Sequence, residues 1–294
     1  MAAAFLVAVL PLVGGLLSIL VAVFVTLRKG AFEGTLVLCA AMAPLVFGYI
    51  QSSSADEGQL VILIITGFIF ATNIWTWVLA LVLRRSGNWS LVTSVAAVMG
   101  MLIVAGVHLV FPDVAGWWER EITAYFTKTS SILSMLAPGN PELIPADVQA
   151  TLIGRARRYG AGFVVSSVMI NAILQLMVAR WWQAAIFNPG GLRKELYRIR
   201  LSYVLTAVFM IIFAAGFTGS AVCLDLLPVL FMAYCLAGLS LLHVLFNKIK
   251  TGTFWLICIY AGVCLWVPYG VVIVAIAALF DSLFNFRKRL MKLG

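Results

Sequence analysis

The feature that most limits what this chain can fold into is a succession of uninterrupted apolar runs. They lie near residues 4–27, 35–50, 59–83, 91–111, 160–179, 201–222 and 227–246, with a last apolar stretch at 249–286. A bilayer core about 30 Å thick is crossed by roughly 20 apolar helical residues, and in lipid only helices or closed barrels pair the whole backbone. Continuous runs, rather than alternating short segments, exclude the barrel. Only 11% of the 294 residues are charged and 63% are apolar, whereas soluble domains carry about 25% charge. The sequence predicts an all-α, polytopic integral membrane bundle of eight to nine spans. It reads as a single membrane domain over 1–294: four N-terminal spans in 1–111, a long outer loop at 112–159, and C-terminal spans in 160–294. The first run is read as a retained span, because no basic segment precedes it and Arg28-Lys29 follows it directly.

Twenty Lys and Arg against eleven Asp and Glu give a net charge of +9. The basic residues stand in short clusters between apolar runs, which is a topology signal and not a nucleic-acid footprint. If 249–286 turns back at Val267-Pro268-Tyr269-Gly270, nine spans place fifteen basic residues on the cytoplasmic side, from Arg28 to Lys292, and five outside, with most of the acids. One span there would give eleven against nine. Charge thus favours a terminal helical hairpin, spanning or re-entrant, with the C-terminus cytoplasmic. Within 112–159, Val114, Trp117, Trp118, Ile122, Tyr125, Phe126, Ile132, Leu133 and Leu136 recur at three- and four-residue steps, opposite Glu119, Arg120 and Lys128. This pattern predicts an amphipathic helix. Its place on the outer interface, over the bundle, or as a lid on an external cavity is left open.

Polar groups in lipid need a partner, a cavity or a ligand. Ser167, Asn171 and Gln175 are spaced four apart along one face of the fifth run, and Asn73 with Trp77 occupies a face of the third. These five residues are the candidate ligand-binding set for a small polar solute; interhelical hydrogen bonding is the structural alternative. His108 and His243 read as hydrogen-bonded histidines near opposite membrane faces. Asp225 reads as the cap of a short outer turn, and Asp281 as an ion-pair partner of Arg287, Arg180 or Arg200. The five cysteines form no CxxC pair and read as small hydrophobes.

The segment 180–200 is a basic elbow with Trp181, Trp182 and the turn Asn188-Pro189-Gly190-Gly191. Its tryptophans suit the membrane interface and its cations suit anionic headgroups. A cytoplasmic or membrane partner docking on Trp181, Trp182, Asn188, Pro189, Gly190 and Gly191 is the functional expectation.

The stretch 179–201, ARWWQAAIFNPGGLRKELYRIRL, and the ending 279–290, LFDSLFNFRKRL, resemble the YybS-like family of bacterial inner-membrane proteins. That family is considered remotely similar to the substrate-capturing S components of energy-coupling-factor transporters. The resemblance implies a bacterial inner-membrane location and a transporter-component role without an ATPase of its own. Ala4 and Ala8 match the small-residue spacing by which S components dock a coupling subunit.

No GxxxxGK[ST], HExxH or GxSxG motif occurs, and no carboxylate pair is placed within an apolar run. Neither an enzyme nor a cofactor, metal or nucleic-acid site is expected. Two functions follow from the sequence: a transporter-component-like binder of a small polar solute, or a membrane scaffold or assembly factor recruiting partners through 180–200.

Overall fold

In a computed structural model, structure is described for residues 11–51, 57–136, 144–247, 249 and 251–287. The chain is all-helical, with 88% helix and no strand among these residues. The helices are α1 (Pro11–Arg28), α2 (Ala31–Gln51), α3 (Glu57–Ser86), α4 (Trp89–Val110), α5 (Val114–Leu136), α6 (Ala146–Phe187), α7 (Gly191–Leu196), α8 (Tyr203–Gly216), α9 (Ala221–Phe246), α10 (Gly252–Leu265) and α11 (Tyr269–Phe284). Five of them (α2, α3, α4, α6 and α9) are long and apolar enough to cross a membrane, while α8, α10 and α11 are apolar but shorter. Such helices fit a membrane protein, and many large side chains such as Leu102, Leu109 and Ile211 face outward, as a lipid solvent allows.

Packing divides the chain into two compact units. One comprises Met1–Ala97, Ser167–Tyr203 and Met232–Gly294; the other comprises Val98–Ser166 and Val204–Phe231. In the first unit α1, α2 and α3 pack mutually. Their buried positions recur at helical steps: Ile19, Ala22 and Val23; Leu38, Ala41 and Met42; Trp75, Leu79 and Leu83. Gly34 lets α2 close on α1, since a Cβ there would stand 2.0 Å from Thr26 Oγ1 and 2.9 Å from its Cα. The start of α4 is capped by Asn88, whose Oδ1 accepts from the Ser90 N–H at 2.9 Å.

The last apolar stretch is two helices. α10 stops at Leu265, Val267-Pro268 is cis, and α11 begins at Tyr269. The two pack on each other at the turn, where a Cβ on Gly270 would lie 2.7 Å from Val263 Cα. The break anticipated at Val267–Gly270 is therefore present, with arms of about 21 and 24 Å at 1.5 Å per residue.

In the second unit α5 is the anticipated amphipathic helix. Trp118, Ile122, Phe126 and Thr129 form its half-buried stripe, whereas Trp117, Tyr125 and Ile132 are exposed. Asp113 caps it, accepting from the Gly116 N–H at 3.1 Å and from Arg120 at 2.9 Å.

Two expectations are corrected. The connection 112–159 is not a loop throughout, because α6 starts at Ala146 and runs for 42 residues. Ala146, Gln149, Ala150, Leu152, Arg155 and Ala156 are strong helix formers with no proline among them, so the helix continues well past its apolar portion. Asp225 does not cap a turn. The turn lies at 217–220, where Gly219 has φ 81°, and Asp225 sits inside α9.

Candidate functional site

Part of the polar stripe of the third and fifth runs is bonded within itself. Gln175 accepts from Thr76 Oγ1 at 2.9 Å and donates through Nε2 to Asn171 Oδ1 at 2.9 Å. Asn73, 2% exposed, faces the Met42 sulfur at 4.0 Å and does not meet Asn171. Ser167 is half-buried on the same helix. The stripe therefore ties α3 to α6 through a two-bond chain. Around it, Thr72 Oγ1, Trp75 Nε1 and Trp77 Nε1 are buried without a hydrogen-bond partner among the described residues. Ala4 and Ala8 lie outside the described residues.

The elbow is where charge and shape converge. Pro189 stops α6 at Phe187 by removing a donor, and Gly190 reverses the chain at φ 77°. A Cβ on Gly191 would fall 2.3 Å from the Asn188 amide nitrogen, which keeps that position small unless Asn188 moves. The short α7 is then pinned from beneath. Glu195 accepts from both Arg180 Nη2 and, at 3.2 Å, Arg180 Nε, and also from the Trp89 indole at 3.0 Å. Arg180 Nη1 donates to Gln183 at 2.6 Å. Ser90 Oγ donates to Arg198 O at 3.1 Å and accepts from the Arg200 N–H at 2.9 Å.

A second guanidinium, this one buried, locks the elbow from the other side. Arg287, 4% exposed, donates to Asp281 Oδ2 at 2.8 Å, Tyr197 O at 2.7 Å, Ser240 Oγ at 3.0 Å and Ala237 O at 2.9 Å. Burial lowers the Arg287 pKa from its ordinary value, and the Asp281 carboxylate offsets part of that. The pairing of Asp281 with Arg287 agrees with the sequence reading, but its path differs. α11 ends at Phe284, Asn285 turns left-handed at φ 54°, and Arg287 is brought back over Asp281.

Between the elbow and the ends of α9 and α10 lies a groove of 760 Å³. Trp181, Ala184, Leu192, Leu196, Phe246 and Leu256 give it an apolar floor. Its polar rim is Arg193, which donates from Nε to Tyr197 Oη and from Nη2 to Asn247 Oδ1. His243 lies under the Tyr197 ring, centroids 6.2 Å apart, and shares a 2.9 Å hydrogen bond with Tyr260. Of the anticipated docking residues, Trp181, Pro189 and Gly190 line this groove. Trp182 turns instead toward Phe24, centroids 5.7 Å apart. Glu195, Tyr197, His243 and Asn247 were not singled out as elbow residues. The one legible hint was Glu195, the sole acid in a basic segment.

In the second unit His108 and Asp225 form a pair at 2.8 Å with side chains 9% and 3% exposed. Asp225 also accepts from the Gly162 N–H at 3.0 Å. A Cβ on Gly162 would stand 1.7 Å from Asp225 O, so the two helices meet backbone to backbone. Among the described residues no three His, Cys, Asp or Glu side chains come together as a metal site would need. The chain matches no protein-family model, and neither a curated protein nor a solved structure shows significant similarity to it.

Proposed function

We propose that this protein is a multi-pass scaffold or assembly factor of a bacterial inner membrane that recruits a partner protein at the 180–200 elbow. In this reading the chain crosses the bilayer eight or nine times, and the elbow and the Arg287 end both lie in the cytoplasm. One observation carries it: a six-residue helix is held by two separately neutralised guanidiniums, Arg180 with Glu195 and Arg287 with Asp281. The Arg287–Asp281 pair is buried and the Arg180–Glu195 pair partly so; withdrawing charge from water is costly, and a mere connection between two helices does not need it. A binding surface held in one shape does.

The second reading, a transporter-component-like binder of a small polar solute without its own ATPase, draws on the YybS-like and S-component resemblance. It has one structural support, the partnerless donors of Thr72, Trp75 and Trp77. The Thr76–Gln175–Asn171 chain counts for the scaffold, since it spends hydrogen-bonding groups of both amides on joining α3 to α6.

Affinity capture from native membranes separates the two. Wild-type protein is expected to hold a stoichiometric protein partner that Asn188→Ala, Pro189→Ala and Gly190→Ala together abolish, with thermal unfolding unchanged. Equal capture by the triple variant overturns the scaffold reading. A small polar molecule released on denaturation, and lost in Asn73→Leu, would establish the solute reading instead.

A further inference from the structure

We propose that the elbow groove is a binding site for one anionic phospholipid, its phosphodiester on Arg193 and an acyl chain along Trp181, Leu192 and Leu256. The proposal rests on the reading of the chain as membrane-spanning with the elbow at the interface, and it does not require the partner protein.

Charge within the elbow is the first argument. Arg180 and Arg287 each have a carboxylate, at Glu195 and Asp281. Arg193, in the same segment, is hydrogen-bonded among the described residues to the neutral Tyr197 hydroxyl and Asn247 amide. Those two bonds fix the plane of the guanidinium without cancelling its charge. Three of its five N–H groups remain for an acceptor, and a planar fork suits a phosphate. Lys194 follows it directly and adds a second exposed cation.

The shape of the groove then selects among phosphates. A volume of 760 Å³ is in the range of pockets that hold small organic ligands, about 300–1,000 Å³. A free phosphate ion would leave the apolar floor empty. Trp181 is 62% exposed and Ile249 50% exposed at the groove's margin, an apolar wall left open to its surroundings rather than packed against other helices. A cation on a rim above an apolar trough that opens sideways is complementary to an anionic headgroup carrying its own tail.

The test uses full-length protein in nanodiscs and native mass spectrometry after gentle release. With phosphatidylglycerol, one lipid per chain is expected to survive activation, whereas phosphatidylcholine is stripped. Arg193→Gln, which removes the charge, is expected to reduce retention about tenfold, the scale of a lost charge-assisted contact. Ala185→Trp, which fills the trough while leaving Arg193 in place, is expected to do the same, and Arg193→Lys to restore part of it. Inorganic phosphate at millimolar concentration is expected not to compete. Retention that is equal for the two lipids, or untouched by both variants, identifies an ordinary boundary lipid and overturns the proposal. Full competition by phosphate overturns it in favour of a free-anion site. If lipid retention fails while the Asn188–Gly190 variant still loses its protein partner, only this inference falls. Specific lipid retention with no partner captured leaves it standing and removes the scaffold.

Discussion

Asp281 and Arg287 are six residues apart, a separation of about 9 Å on a straight helix, yet their side chains meet at 2.8 Å with almost no exposure. Asn285, at φ 54°, shortens the path and also allows the Arg287 N–H to face Asp281 Oδ1 at 3.3 Å. The pair is worth more intact than its charges suggest, because removing one member strands the other in a buried site. Asp281→Asn is expected to destabilise the protein by about 3–5 kcal/mol, read as a lowered midpoint in detergent unfolding. Replacing both by Leu and Met should cost clearly less; equal or greater loss would show that Arg287 acts through its bonds to Tyr197 O and Ala237 O instead. The ionic partnership was legible in the sequence because an intramembrane Asp demands a cation nearby. The Arg180–Glu195 pair was not, since its two members share no helix and only the Gly190 reversal brings them together.

Within an element, the amphipathic helix α5 shows how far periodicity carries. Nine apolar positions between 114 and 136 fixed its existence, and the structure sorts those up to Ile132 into a packed stripe and an open one that the pattern alone does not separate. Its N-terminus depends on Asp113, whose pKa is lowered by the hydrogen bond from Arg120 and then by that from the Gly116 amide. A carboxylate with a depressed folded-state pKa contributes its full stabilisation above the ordinary carboxyl range and loses it as pH falls through the lowered value. Hydrogen exchange at Gly116 is expected to be slower in wild type than in Asp113→Ala at neutral pH, with the difference vanishing in acid. A difference that persists in acid would locate the cap elsewhere. α6 is the opposite case. Its apolar portion marked a span, but the polar turns from Ala146 to Arg158 carry no periodic apolar signal strong enough to distinguish helix from loop.

For the molecule as a whole, the sequence specified an all-helical chain of membrane-spanning composition, and the five long apolar helices agree with it. Where the sequence placed function, at mid-bilayer amides, the structure bonds Gln175 to Thr76 and Asn171 and sets Asn73 against the Met42 sulfur. The groove formed by Tyr197, His243 and Asn247 with Trp181 draws on residues some 50 apart, which no local pattern connects. The proposed sidedness draws on positive-inside charge, and the Arg287–Tyr197 contact requires the elbow and the end of α11 to share one face. Single cysteines at Asn188 and Asn285, in a background lacking Cys39, Cys223, Cys235, Cys258 and Cys264, are expected to react with an impermeant reagent from the same side of sealed vesicles. One at Thr127 should react from the other. Labelling of the first two from opposite sides would dismantle the topology.

The bonds of Arg287 also impose an order on biosynthesis. A chain emerging from the ribosome exposes its elbow before residue 287 has been made, so the Tyr197 and Ala237 carbonyls lack this donor until then. The elbow is thus completed only once residue 287 has been polymerised, and a nascent protein cannot present a finished groove to anything before α11 has been made and has folded.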